Sequence, residues 1–219
     1  ETCSYPFESL SETQREYLLK YADKEIDPTK KEAMKDEAIR YTSLYPFTAK
    51  CIAIGMYDVE KGKSYVYYES EKPEDWNPEN TNVYYKGLSE KEMLESFWKI
   101  AMYVDQFITF NGRNFDVPFL MMRSAMLKVK PSKNLMAYRY GDEHIDLLEQ
   151  FTFYSTTRKF NLDFYCHAFG IESPKSKDIS GMEVKTLYEA GRIKDIAVYC
   201  SKDIYSTYQL FKIWEEFLK

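Results

Sequence analysis

Hydrophobic and polar positions along this chain alternate between two rhythms. Residues 51–57 (Cys-Ile-Ala-Ile-Gly-Met-Tyr) and 64–69 (Ser-Tyr-Val-Tyr-Tyr-Glu) are β-prone runs joined by Glu60-Lys61-Gly62-Lys63, the pattern of a hairpin. Val83-Tyr84-Tyr85 predicts a short further strand, and the polar stretch 71–82 before it reads as loop. Leu94, Phe97, Ala101 and Val104 then fall at helical spacing behind Ser89-x-x-Glu92, a capping box that marks a helix start. Ile108-Thr109-Phe110 is a buried strand that runs into Asn111-Gly112, a strong turn signal, and then into a helix reaching to about Leu127. Residues 131–141 read as a connector, 144–149 as an apolar turn or short helix, and 162–169 as a helix closed by Gly170. A short helix over 183–190 is separated by Gly191 from a long final helix, 193–218, which carries Ile196, Cys200, Ile204, Phe211 and Trp214.

The first part of the chain is different. Residues 1–4 read as the tail of an element that begins upstream. Residues 5–46 form a charged block with two helix starts, Ser11-x-x-Gln14 and Asp27-Pro28, and only a weak apolar face, the pattern of an exposed helical insertion. The order hairpin, helix, strand, helix, then more helices predicts an α/β architecture, a mixed sheet covered by helices.

Composition narrows the function. The 219 residues, 44% hydrophobic, suffice for one sizeable core. No apolar run approaches a membrane span and no signal-peptide pattern opens the chain. The four cysteines are widely spaced without a Cys-x-x-Cys pair, so they read as reduced packing residues of a cytoplasmic protein. The two histidines are too far apart to build a metal site of their own. A net charge of −5 argues against a broad basic surface for duplex nucleic acid, but it suits a site that gathers carboxylates around divalent cations.

Candidate chemistry starts at Asp116, an acid in an otherwise apolar run where a strand hands over to a helix. Alone it reads as a helix N-cap, a reading that Pro118 in the first turn supports. Downstream, Tyr199 and Asp203 are four residues apart and share one face of the final helix, flanked by Ile196 and Cys200. A carboxylate placed there is costly unless a cation or hydrogen bonds compensate it.

Asn111-x-x-x-Phe115-Asp116 followed by Tyr199-x-x-x-Asp203 resembles the second and third exonuclease motifs of the DEDD 3′–5′ exonucleases, in the tyrosine variant found in the proofreading domain of family B DNA polymerases. His144-Ile145-Asp146-Leu147, the Lys177-Asp178-Ile179-Ser180-Gly181 loop and Ile196-Ala197-Val198 add to the likeness. The chain looks most like the predicted stand-alone bacterial exonucleases related to that polymerase domain. The resemblance implies a ribonuclease H-like fold in a single domain over residues 1–219. It also implies two-metal hydrolysis, by Mg²⁺ or Mn²⁺, at the 3′ end of single-stranded DNA. By this likeness Glu1, Asp116 and Asp203 bind metal, and Tyr199 orients the attacking water. The family's first motif is Asp-x-Glu, usually followed by Thr. Glu1-Thr2 matches its second half, and its Asp would stand two places before Glu1, outside the sequence. The first strand is therefore expected to be truncated, and the fragment's activity to depend on that absent acid. Asp58-Val59-Glu60 is a literal second Asp-x-Glu, but it leads straight into a Lys-Gly turn and reads as solvated hairpin charge.

Substrate contacts are expected from Thr2, from Asn111 and Phe115 at the terminal sugar and base, and from Lys175 and Lys177 at phosphate. Phe115 also reads as a core residue, and Asp146 as a helix cap in preference to an acid of the ligand shell. The alternatives are a 3′–5′ exoribonuclease, or a catalytically inactive nucleic-acid- or partner-binding domain on the same fold.

Overall fold

The computed structural model describes residues 1–173 and 183–219. Strand β1 (Thr2–Ser4) is followed by helices α1 (Glu12–Leu19) and α2 (Pro28–Tyr41), and then by β2 (Ala49–Cys51), with which β1 pairs antiparallel. Both helices start at the predicted signals. Ser11 and Gln14 form a reciprocal capping box, and the Asp27 side chain accepts from the Lys30 N–H with Pro28 opening the helix. Neither helix buries a side chain. Their segment is tied to the body by Arg123, which makes two bonds to Glu90 (2.8 and 2.6 Å). Arg123 also donates to the Pro46 carbonyl at 3.1 Å and to the Tyr5 hydroxyl at 2.8 Å.

After a break at Ile52 come β3 (Ala53–Asp58), β4 (Lys63–Glu69), β5 (Glu74–Trp76) and β6 (Val83–Leu88). They form a sheet in the order β3-β4-β6-β5, with β4 and β6 parallel and the other pairs antiparallel. The Glu1 carbonyl accepts from Ile52 N–H at 2.9 Å and Ala53 N–H at 3.3 Å, so Glu1 lies across the break and against the start of β3. Helix α3 (Glu90–Ala101) follows on the Ser89–Glu92 capping box. Strand β7 (Phe107–Thr109), helix α4 (Asp116–Met126) and strand β8 (His144–Asp146) come next, and β7 and β8 pair in parallel. The short helices α5 (Leu147–Phe151), α6 (Leu162–Ala168) and α7 (Val184–Glu189) lead to the long α8 (Ile193–Phe217). No helix among the described residues is long and apolar enough to cross a membrane.

The sheet face alternates as its pleat requires. Ile54 packs toward α3 and α4, in a cluster with Met93, Leu94, Phe97, Val117 and Phe119. Ala53, Val66, Tyr68 and Tyr85 pack toward Ala197 and Cys200 of α8. Helices thus cover both faces of a mixed sheet, in keeping with a ribonuclease H-like domain. Gly55 sets the closeness of α8. A Cβ at this position would stand 2.8 Å from Cys200 Sγ and 3.0 Å from an Ile204 methyl.

Three local expectations change. Residues 144–146 are a strand rather than a turn or helix; all three are buried, so no alternation marks them, and only the pairing with β7 makes them extended. The stretch 71–82 contains β5, a polar edge strand that exists through its pairing with β6. The run 51–57 is split at Ile52, where the Glu1 carbonyl takes both neighbouring N–H groups.

Candidate active site

The turn that carries Asp116 is built from Asn111 and Gly112. Asn111 adopts φ 62°, a left-handed conformation that asparagine tolerates better than most side chains. The buried Asp146 holds this turn from below. Its carboxylate accepts from Asn111 N–H at 2.8 Å, Arg113 N–H at 2.9 Å and Leu148 N–H at 3.0 Å. Asp146 therefore caps α5, as expected, and also clamps the turn, which the sequence did not reveal. Arg113, buried beside it, donates to the Tyr138 carbonyl at 2.5 Å. The chain leaves this turn at Phe115, and Asp116 is the first residue of α4. Asp116 does not cap the helix: Phe115 holds the cap position, without a side-chain cap bond. The Asp116 carboxyl is thus free of the local role that its position suggested.

Asp116 is open to solvent, yet its carboxyl is pushed up to about 6. Burial is the main cause, and the charges of Glu1 and Asp146 raise it further. The carboxyl is thus accessible and at the same time surrounded by protein groups that disfavour its charge, the arrangement expected of a cleft.

Helix α8 brings the other two groups. Tyr199 is buried, and Asp203, one turn later, is half-buried with its Oδ1 buried and lacking any hydrogen-bond partner. Burial raises Asp203 to about 8; Glu1 and Asp116 add to this, and a hydrogen bond from the Tyr199 hydroxyl opposes it. Burial also raises the Tyr199 phenol well above its ordinary value, with Asp203 and Glu1 reinforcing it. Four groups from three distant segments thus act on one another: Glu1 before β1, Asp116 on α4, and Tyr199 and Asp203 on α8. Among the described residues no three His, Cys, Asp or Glu side chains are drawn close enough to hold a metal ion as they stand. The donor set still fits a hard divalent cation, because it is made of carboxylates and includes a buried acceptor oxygen without a partner.

The remaining predicted contacts scatter. Asn111 accepts from Asn114 Nδ2 at 3.0 Å, and Phe115 is half-buried, packed on the core with its ring 5.8 Å from that of Phe119. Thr2 donates its hydroxyl proton to the Ser43 carbonyl at 2.7 Å, which leaves only its lone pairs for a ligand. Lys175 and Lys177 lie outside the described residues. Asp58 ends β3 and pairs with Lys61 at 2.7 Å, and Glu60 stands in the hairpin turn beside it. Gly55 was not singled out by sequence; only the contact with Cys200 reveals its role.

Comparison with known proteins adds the following. The family described as "Predicted 3'-5' exonuclease related to the exonuclease domain of PolB" matches residues 77–217. A DNA polymerase of Desulfurococcus sp. (strain Tok) is 32% identical over 142 residues, covering 57% of this chain. The match covers 18% of that polymerase, so the chain is similar to one part of a much longer protein.

Proposed function

Because this chain belongs to the family of predicted 3′–5′ exonucleases related to the exonuclease domain of PolB, we propose that it removes nucleotides from the 3′ end of single-stranded DNA by metal-dependent hydrolysis. The observation that carries this reading is Asp203: a carboxyl raised to about 8 by burial and by Glu1 and Asp116, with one oxygen that has no partner. Acids crowded in this way favour a divalent cation that would relieve their repulsion. Glu1, Asp116 and Asp203 would hold two ions of Mg²⁺ or Mn²⁺, which when bound supply water activation and charge for the departing 3′ oxygen.

The protein's own groups do the rest. Tyr199 keeps its proton at neutral pH, since its pKa is raised, so it orients the attacking water as a hydrogen-bonding hydroxyl and is not a general base. The Asp146 clamp fixes the turn that delivers Asp116. Asn111 and the open side of Phe115 meet the terminal sugar and base, the Thr2 oxygen accepts from the nucleotide, and Lys177 meets phosphate. The DNA polymerase relative supports DNA over RNA. The four free, buried cysteines support a reducing, cytoplasmic setting. One observation favours a second reading, an inactive nucleic-acid-binding domain: no metal-ready trio of side chains is gathered among the described residues.

The test is a 5′-labelled single strand, DNA or RNA, incubated with the protein and Mn²⁺. The proposal expects a ladder of products shortened one nucleotide at a time from the 3′ end, on DNA in preference to RNA, and abolished by Asp203→Asn. A preference for RNA replaces the substrate assignment. Strands bound but left intact support the second reading.

A further inference from the structure

Away from the carboxylates, one edge of the molecule interleaves aromatic and basic side chains. Tyr138, Arg139 and Tyr140 precede β8, with Arg139 paired to buried Glu149 at 2.5 Å; Phe153, Tyr154, Arg158, Lys159 and Phe160 follow α5. Tyr138 is 67% exposed, Tyr140 64%, Phe153 58% and Tyr154 39%. The two segments meet through their rings: the Tyr140 centroid lies 5.0 Å from that of Tyr154 and 6.5 Å from that of Tyr138.

The backbone holds these rings outward. Phe153, Tyr154 and Ser155 have φ of 47°, 55° and 74°, three consecutive left-handed residues without a glycine, which L side chains rarely adopt. Buried Thr152 imposes the turn. Its carbonyl accepts from Thr156 N–H at 2.8 Å and Thr157 N–H at 3.1 Å, and its hydroxyl oxygen accepts from Ser155 N–H at 3.3 Å. The Glu149 carbonyl takes the Tyr154 N–H at 2.7 Å. The fold therefore orders a strained turn whose aromatic side chains are left exposed, the signature of a contact surface.

Charge indicates what it contacts. Residues 150–161 include Arg158 and Lys159 and no acid, on a chain of net charge −5. Among the described residues neither cation has an ion-pair partner, and the Arg158 guanidinium lies 5.2 Å over the Phe160 ring. The strip is also linked to the candidate site through one buried side chain. The Tyr138 carbonyl accepts from Arg113, whose backbone belongs to the Asp146-clamped turn before Asp116.

We propose that Tyr138, Tyr140 and Tyr154, with Arg158 and Lys159, form a docking track for single-stranded nucleic acid outside the hydrolytic cleft. Bases stack on the rings and phosphates meet the cations. The identity of the partner rests on the exonuclease reading.

Fluorescence anisotropy in EDTA tests this, using labelled oligothymidylates of about 20 and about 4 nucleotides, since one such module spans roughly 4–16. Tyr140→Ala and Tyr154→Ala each weaken binding of the long strand about tenfold and leave the short strand unaffected. Tyr140→Phe retains the affinity. Replacing Arg158 and Lys159 by Gln lowers the salt slope by about 1.4. Equal long-strand affinity of wild type and the Tyr140→Ala/Tyr154→Ala double variant, with unchanged circular dichroism, overturns the track, as does a wild type that does not bind the long strand. EDTA separates the two readings. Ring-dependent binding without hydrolysis in Mn²⁺ sinks only the exonuclease reading, and hydrolysis with ring-independent binding sinks only the track.

Discussion

Two pairs of acids in this chain invite the same chemical interpretation and meet opposite environments. Asp58 and Glu60 stand at a hairpin turn. There a hydrogen bond from Lys61 holds the Asp58 carboxyl below the usual range, and Asp58 is already neutralised. Asp116 and Asp203 come from helices about ninety positions apart in the chain. Burial, with the nearby Glu1 carboxylate, pushes them up to about 6 and about 8. Asp58 is stabilised by what the protein provides, whereas the cleft acids are destabilised and have a use for a cation from outside. Asp58-x-Glu60 matches the motif spacing literally but reads as solvated hairpin charge from its turn, and the environment likewise favours the dispersed set as the reactive one.

The largest expected difference is in hydrolysis. Asp203→Asn lowers the rate of mononucleotide release at least ~100-fold, as loss of a metal-ligand group does. Asp58→Asn leaves it within about twofold, because that acid has only Lys61 to hold. Equal losses in the two variants would break the distinction between hairpin and cleft.

A stability effect follows from the clamp. Asp146→Ala strands three backbone N–H donors, two of them in the turn that carries Asp116. Each buried unpaired donor costs about 1–3 kcal/mol. The variant should lose roughly 3 kcal/mol or more in urea unfolding, and with it the fixed position of Asp116. Gly55→Ala acts on the other wall: its Cβ would meet Cys200 and Ile204, so these side chains or the helix that carries them and Asp203 must shift. Overpacking of this kind costs about 1–3 kcal/mol, measurable in the same unfolding series.

The smallest effect is on pH dependence, and it sharpens the contrast through its sign. Asp203 is raised in the folded state from 3.8 to about 8, so the folded protein keeps a proton that the unfolded chain releases in between. Stability of the metal-free protein therefore falls as pH rises from about 4 to 8. Asp116 adds to this up to about 6. Asp58, whose carboxyl is lowered, works the other way at more acid pH. Thermal unfolding should show Tm higher at pH 5 than at pH 8, with the slope flattened by Asp203→Asn, unchanged by Asp58→Asn, and countered at pH 8 by Mn²⁺.

Local signals wrote most of the framework into the sequence. Ser89 and Glu92 fixed the start of α3, Asp27-Pro28 that of α2, and the spacing of Ile196, Cys200, Ile204 and Phe211 the long α8. What stayed hidden depends on partners distant in the chain. Strand β8 is extended only because β7 lies beside it, and β5 only because of β6. The second role of Asp146 needs Asn111 and Arg113, 35 and 33 residues away. In the site, Tyr199 and Asp203 were legible because one helix turn joins them. Their relation to Asp116 and Glu1 was available only through family likeness, since no local pattern links α4, α8 and the start of β1.

Titration with Mn²⁺, followed by the loss of the free-ion electron paramagnetic resonance signal, tests the central claim most directly. Wild type and Asp58→Asn should take up Mn²⁺ alike, and Asp116→Asn and Asp203→Asn should each weaken uptake at least tenfold. Uptake by Asp203→Asn equal to that of wild type would contradict the assignment of this cleft as the metal-dependent site.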